Sequence, residues 1–115
     1  MASDSGDWPG GERRRELRAN VSLGAVIQAG GKSYLGEIQA LSIQGAYLQL
    51  MDGDPFPHEG TVLLLPHDLP DGIEVAIRRK VLEEDGLVHG LGIEFLALES
   101  EARAYVQRAI AGAAG

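Results

Sequence analysis

The chain has 115 residues, 44% of them hydrophobic and 23% charged, which is typical of one globular domain. It contains no cysteine, which excludes a disulfide scaffold and any site that uses a thiolate. The formal net charge of −7 argues against a general nucleic-acid binder, which needs a broad cationic face, and against adhesion to anionic lipid. No apolar run approaches the ~20 residues that span a membrane, and the polar N-terminus carries no signal peptide. We therefore expect a cytoplasmic domain.

The N-terminal segment is polar and rich in glycine. Composition predicts a flexible tail over residues 1–11, a single folded domain over 12–111 and a frayed terminus over 112–115. Where the tail meets the domain, arginines cluster, at Arg13, Arg14, Arg15 and Arg18. In an acidic protein such a cluster favours contact with a small anionic ligand. A solvated charge run is the alternative.

Turn signals divide the rest of the chain into short segments. Gly30-Gly31 predicts a hairpin loop, and further reversals are expected at Asp52-Gly53, at 70–72 and at Asp85-Gly86. The segments between them alternate apolar and polar residues or are continuously apolar, at 21–27, 34–40, 46–50, 62–65, 73–81 and 91–95. Six short strands with tight turns predict an all-β fold, a barrel or a sandwich.

The last segment has a helical period. Ala102, Tyr105, Val106, Ala109 and Ile110 share one helical face. Ser100 is the expected N-cap and Gly112 the expected residue after the helix. Because this apolar stripe must pack on something, we expect the helix to dock on the open end or the flank of the barrel. The sequence therefore predicts a small six-stranded antiparallel β-barrel with a C-terminal α-helix.

Groups that could perform catalysis are few and dispersed. His58, His67 and His89 show no metal-ligand spacing and are expected at the surface or rim. Gly90-Leu91-Gly92 lies inside a strand pattern with no following helix, so it does not predict a dinucleotide site. Ser42 lacks the flanking glycine of a nucleophile elbow. We predict no enzyme activity, no metal and no cofactor.

Two short motifs remain, the arginine cluster and Ser42-Ile43-Gln44-Gly45. Alone, the second predicts a turn in which the serine bonds its own backbone and the glycine takes a positive φ. In this order along a barrel, however, the motifs make the sequence resemble the PilZ family, bacterial receptors for cyclic di-GMP. Arg14-x-x-x-Arg18, with Arg13 before it, matches the family's RxxxR, and Ser42 to Gly45 matches the SxxG of its [D/N]xSxxG. The resemblance covers about residues 12–111, including the ending 90–95 and the helix.

The resemblance implies a non-catalytic cyclic di-GMP receptor that signals to an unidentified effector protein, as a monomer or homodimer. It assigns ligand binding to Arg13, Arg14, Arg18, Ser42 and Gly45, with the arginines on an arm that the ligand orders. One position departs from the pattern, because Ala40 stands where the family has Asp or Asn, which would accept from guanine. The missing charge-assisted hydrogen bond corresponds to a roughly 10- to 150-fold weaker affinity. Ala40→Asp or Ala40→Asn is therefore expected to tighten binding. The alternative is a degenerate PilZ module that contacts proteins and binds no nucleotide.

Overall fold

The computed structural model describes residues 18–114, which form six strands and one helix. These are β1 (Ala19–Ala29), β2 (Lys32–Leu41), β3 (Gly45–Asp54), β4 (Thr61–Pro66), β5 (Ile73–Leu82), β6 (Val88–Phe95) and α1 (Ser100–Ala114). All neighbouring strands are antiparallel, and they close into a barrel in the order β1-β2-β3-β6-β5-β4. The predicted all-β, six-stranded barrel with a C-terminal helix is confirmed.

The alternation of apolar residues fills the interior of the barrel. Inward side chains of every strand are buried, and those with no exposed surface include Ile27, Leu48, Val75, Leu91 and Ile93. Leucine, isoleucine and valine dominate this interior, so the barrel is a packed core rather than a cavity for a ligand. A ligand must therefore bind on the outside or at an end.

The helix packs its apolar face against β1, as the sequence predicts. Ala102, Val106 and Ile110 are buried in the same core as the strands. Its ends differ from the prediction. The Glu99 carbonyl accepts the Arg103 N–H at 2.7 Å, so Glu99 caps the helix and Ser100 lies in its first turn. The helix also runs through Gly112 to Ala114, because Gly112 does not take a positive φ and neighbouring alanines favour helix.

One end of the barrel is closed by the segment that joins β3 to β4. Phe56 inserts there with no exposed surface and a φ of 40°, unusual for a bulky residue. Its N–H donates to Asp54 Oδ1 at 2.6 Å, and its carbonyl accepts from Lys80 Nζ at 3.0 Å. The Tyr34 ring packs edge-on at 4.9 Å between centroids. This end also carries the predicted β1–β2 hairpin, with positive φ at Gly30 and Gly31.

Candidate functional site

The described residue of the arginine motif, Arg18, and the SxxG turn lie at the opposite end of the barrel. Ala19, the first residue of β1, is paired with Leu41, the last residue of β2. Arg18 precedes Ala19 and is exposed, and Ser42 follows Leu41. The base of the arginine arm and the SxxG turn therefore lie side by side. Arg13 and Arg14 lie outside the described residues.

The turn between β2 and β3 is held by its own backbone and by the hydroxyl of Ser42. The Ser42 N–H donates to the Gly45 carbonyl at 2.9 Å. Ser42 Oγ accepts from the N–H of Gln44 at 3.0 Å and from that of Gly45 at 3.3 Å. Ser42 is fully buried, at 0% exposure, so its hydroxyl faces the turn and not solvent. In the structure Ser42 shapes the turn, and its predicted contact with a ligand stays a prediction.

Gly45 is needed for a reason that the sequence did not reveal. Its φ is not positive, contrary to the expectation for an isolated turn. Instead β3 starts directly against β6, where Gly45 is paired with Glu94. A Cβ on Gly45 would lie 2.1 Å from the carbonyl oxygen of Ile93. Glycine therefore permits the close approach of two backbones, and the Phe95 N–H fixes it by donating to the Gln44 carbonyl at 2.8 Å.

Above the turn, five directly paired residues cross the outside of the barrel. We call them the outer row, and in strand order they are Asn20, Ala40, Tyr47, Gly92 and Arg79. Their neighbours Leu41, Ala46 and Ile93 point inward and are buried, so the alternation turns the row outward. Ala40, the residue that departs from the family pattern, lies between Asn20 and Tyr47.

Tyr47 lies across Gly90, one of the two outward glycines of β6. A Cβ on Gly90 would lie 1.8 Å from Tyr47 Oη, so the phenol occupies the space that a side chain there would fill. Tyr47 is half-buried, and burial raises the pKa of its phenol, with Arg79 opposing the rise and Glu83 adding to it. Tyr47 therefore remains partly open to solvent, and it is the cross-strand partner of Ala40. Tyr47 was not predicted from the sequence. Two glycines at alternate positions of the apolar strand β6 indicated that a large neighbouring side chain could lie there.

A second run of basic residues, Arg78-Arg79-Lys80, does not form one patch. Arg78 pairs with Glu94 at 2.6 Å, and Lys80 pairs with Glu59 at 2.9 Å beside Phe56. A register shift in the ladder between β5 and β6 separates these side chains, and Arg79 joins the outer row. Of this triplet, therefore, one cation lies in the row next to the SxxG turn.

The ladders beside Ala40 are irregular on both sides. The register of β1 against β2 shifts between Asn20 and Leu23, and that of β2 against β3 shifts at Gln39. Glu37 links the two bulges, because it accepts hydrogen bonds from the Ser22 hydroxyl and from Gln39 Nε2. These bonds lower the pKa of the Glu37 carboxyl, with Ser22 as the main cause. Bulges are common next to binding sites, where they redirect side chains.

The histidines lie apart from this region and from one another. His58 contacts the Tyr34 hydroxyl at 2.8 Å near the closed end, His67 is exposed beside Asp68, and His89 contacts Asp85 at 2.8 Å. Between residues 18 and 114, no three His, Asp or Glu side chains come together as metal ligands. Within the same range, no helix is long and apolar enough to cross a membrane.

Comparison with known proteins agrees with this architecture. Among solved structures, the chain is similar to the PilZ domain with c-di-GMP of YcgR from Escherichia coli, with a TM-score of 0.62 and 16% identity over 89% of this chain and 92% of that one. It is also similar to the inhibitor of motility MotI (DgrA) from Bacillus subtilis, with a TM-score of 0.67 and 18% identity over 87% of this chain and 50% of that one. No curated protein sequence matches. The sequence model of the PilZ domain family matches residues 12–112, and the chain therefore belongs to this family.

Proposed function

We propose that this domain is a non-catalytic receptor for cyclic di-GMP that passes the signal to a protein partner in the cytoplasm. The observation that carries the proposal is the meeting of Arg18 with the SxxG turn at one end of the barrel. The solved PilZ domain of YcgR, to which the chain is similar, is a structure with c-di-GMP, which supports the same ligand class. The binding unit is residues 12–111, with 1–11 as a tail.

The ligand carries two phosphates and two guanines, and arginine suits both groups. A guanidinium forks onto a phosphate or onto guanine O6 and N7, and its plane stacks on a purine. Arg13, Arg14 and Arg18 supply these contacts in the proposal. Since the whole chain has a net charge of −7, this cluster provides the local positive charge that a dianionic ligand requires.

Ser42 and Gly45 act in this proposal through the turn rather than through a flexible side chain. The Ser42 hydroxyl is engaged by two backbone N–H groups and is buried. Gly45 sets the contact between β3 and β6. Together they fix the turn against which the arm closes, and the ligand then orders the arm, an order–disorder switch. The ordered arm and the adjacent barrel face form the surface for the effector.

Isothermal titration calorimetry of cyclic di-GMP into the protein at ~150 mM salt tests the proposal, since salt weakens phosphate contacts and excludes weak nonspecific ones. We expect saturable binding that GTP does not reproduce. Arg14→Ala and Arg18→Ala should each abolish most of it and leave the thermal midpoint of the free protein unchanged. Arg108→Ala, an exposed arginine of α1, is the matched control and should bind normally. Absence of saturable heat for the unmodified protein would refute the proposal.

A second candidate function is a PilZ module that contacts proteins and binds no nucleotide. Ala40 favours it, because this residue cannot accept a hydrogen bond at the position where the family has Asp or Asn. The two candidates differ in one result. If cyclic di-GMP gives no heat of binding with the unmodified protein but binds to Ala40→Asn or Ala40→Asp, the site is intact except for the acceptor. The natural chain is then the interaction module.

A further inference from the structure

Asn20 lies directly beside the residue that departs from the family pattern. It is the cross-strand partner of Ala40, and both residues belong to the outer row. Side chains of directly paired residues lie about 5 Å apart at Cβ, so the Asn20 amide reaches the space above the Ala40 methyl. Asn20 is exposed, and its side chain has no hydrogen bond to another residue between 18 and 114.

Glu37 is the other acceptor on this face of β2, and it is already engaged. Its Oε2 accepts from the Ser22 hydroxyl, and its Oε1 accepts from Gln39 Nε2 at 3.3 Å. These bonds tie Glu37 to the two bulges next to Ala40. If Glu37 bound a ligand, it would lose these hydrogen bonds, which hold the irregular backbone. The Asn20 amide carries no such cost.

The position of Asn20 along β1 also places it beside the arm. Arg18 and Asn20 are two residues apart, both exposed, on either side of the buried Ala19. In an extended segment residues at this spacing point to the same face. A guanine held by Arg18 therefore meets Asn20 next. The register shift immediately after Asn20 ends the regular ladder at this residue, so its orientation is set by the Asn20–Ala40 pair.

From these observations we infer that Asn20 supplies the guanine-recognising group that Ala40 lacks, from the neighbouring strand. Its Oδ1 accepts from guanine N1–H while its Nδ2 donates to O6, a pairing that satisfies both edges of the amide. Tyr47, on the other side of Ala40, is partly exposed and would offer an aromatic ring to the base. The inference rests on the proposed function, because it concerns the same ligand and the same site.

Four proteins test the inference by calorimetry with cyclic di-GMP: unmodified, Asn20→Ala, Asn20→Asp, and Asn20→Ala combined with Ala40→Asn. We expect Asn20→Ala to weaken binding about 3- to 10-fold, the loss of a hydrogen bond between neutral groups. Asn20→Asp loses the donor to O6 but can accept from both N1–H and N2–H₂ of guanine, so it should bind within about threefold of the unmodified protein. The double variant moves the amide one strand along and should recover most of the loss. Gln28→Ala, which removes an exposed amide at the far end of β1, is the control and should change nothing.

The possible outcomes separate this inference from the function on which it rests. Equal affinity of the unmodified protein and Asn20→Ala, with normal thermal midpoints, would overturn the role of Asn20 and leave the receptor function standing. Ala40→Asn alone, measured beside these proteins, separates this inference from the tightening expected from the family pattern. Tight binding by that variant when the unmodified protein binds weakly would also overturn the role of Asn20, because the acceptor position would then be vacant. No binding by any of the four proteins would overturn both.

Discussion

The substitution Gly45→Ala measures how closely β3 and β6 approach at the turn between β2 and β3. The added Cβ would lie 2.1 Å from the Ile93 carbonyl oxygen and 3.1 Å from the Glu94 Cα. Both are backbone atoms, so no side-chain rotation relieves the clash and the strands must separate. Overpacking of this kind costs about 1–3 kcal/mol. Separation also weakens the two hydrogen bonds between Ser42 and Gly45, which contribute about 1 kcal/mol each.

We therefore expect Gly45→Ala to lower the free energy of unfolding by about 3–5 kcal/mol. At about 4 °C per kcal/mol for a domain of this size, the thermal midpoint should fall by about 12–20 °C. Gly24→Ala is the matched control, since Gly24 also lies in a strand, has no positive φ and has nothing within 4 Å of its Cβ position. It should be neutral or stabilising by about 0.5–1 kcal/mol. Urea unfolding followed by circular dichroism measures both. A loss below about 1 kcal/mol for Gly45→Ala would refute the close approach.

Three further predictions concern the turn, the outer row and a pH-dependent pair. Ser42→Ala should cost about 1–3 kcal/mol in urea unfolding, because it leaves two N–H groups of the turn without their acceptor; a neutral result would contradict that role. Gly90→Ala should push the Tyr47 ring off β6, changing stability by less than about 1.5 kcal/mol while lowering the pKa of that phenol toward its ordinary value in a spectrophotometric titration. The hydrogen bond to Asp85 raises the pKa of His89. The contribution of His89 to the free energy of unfolding is therefore complete below the ordinary pKa of histidine and is lost as pH rises through the raised pKa. The pKa of Asp85 is lowered, chiefly by the Leu87 N–H and then by His89, so its contribution is lost only as pH falls through that lowered value. Asp85→Asn keeps an acceptor for the Leu87 N–H. Its loss of stability relative to the unmodified protein should be largest between about pH 4 and 6.5 and smaller at pH 8. An equal loss in that range and at pH 8 would argue against the pair.

The fold was predictable because local signals agree with the global architecture. Period-two alternation placed the inward residues of every strand, and Gly30-Gly31 marked the hairpin where both residues take positive φ. The helix end at Gly112 was predicted wrongly, since a glycine after an apolar stripe ends a helix only where it adopts the left-handed conformation. Phe56 had no local signal. It lies in an exposed-looking, proline-flanked segment, and it is buried only because that segment crosses the end of the barrel.

The site was predictable to the extent that its residues are close in sequence. The motifs predicted Arg18 and the turn as parts of one candidate site, and the pairing of Ala19 with Leu41 brings these two together. The reason for Gly45 was not accessible, because Ile93 is distant in the sequence and only the β3–β6 register places its carbonyl there. The outer row was not accessible either. Two bulges shift the register beside Ala40, so counting along the alternation would have paired the wrong residues across the strands.

The two ends of the barrel differ in how their polar groups are engaged. At the closed end, Phe56 is held by Asp54, Lys80 and an aromatic neighbour, so its polar backbone groups are engaged within the protein. At the other end, the turn engages the hydroxyl of Ser42, whereas the amide of Asn20 remains without a hydrogen bond in the part of the chain described. An unengaged amide here costs the fold little, because Asn20 is exposed and water satisfies its side chain. In the proposed function, this amide is available for recognition next to Arg18, and the barrel supplies the fixed geometry that such binding would require.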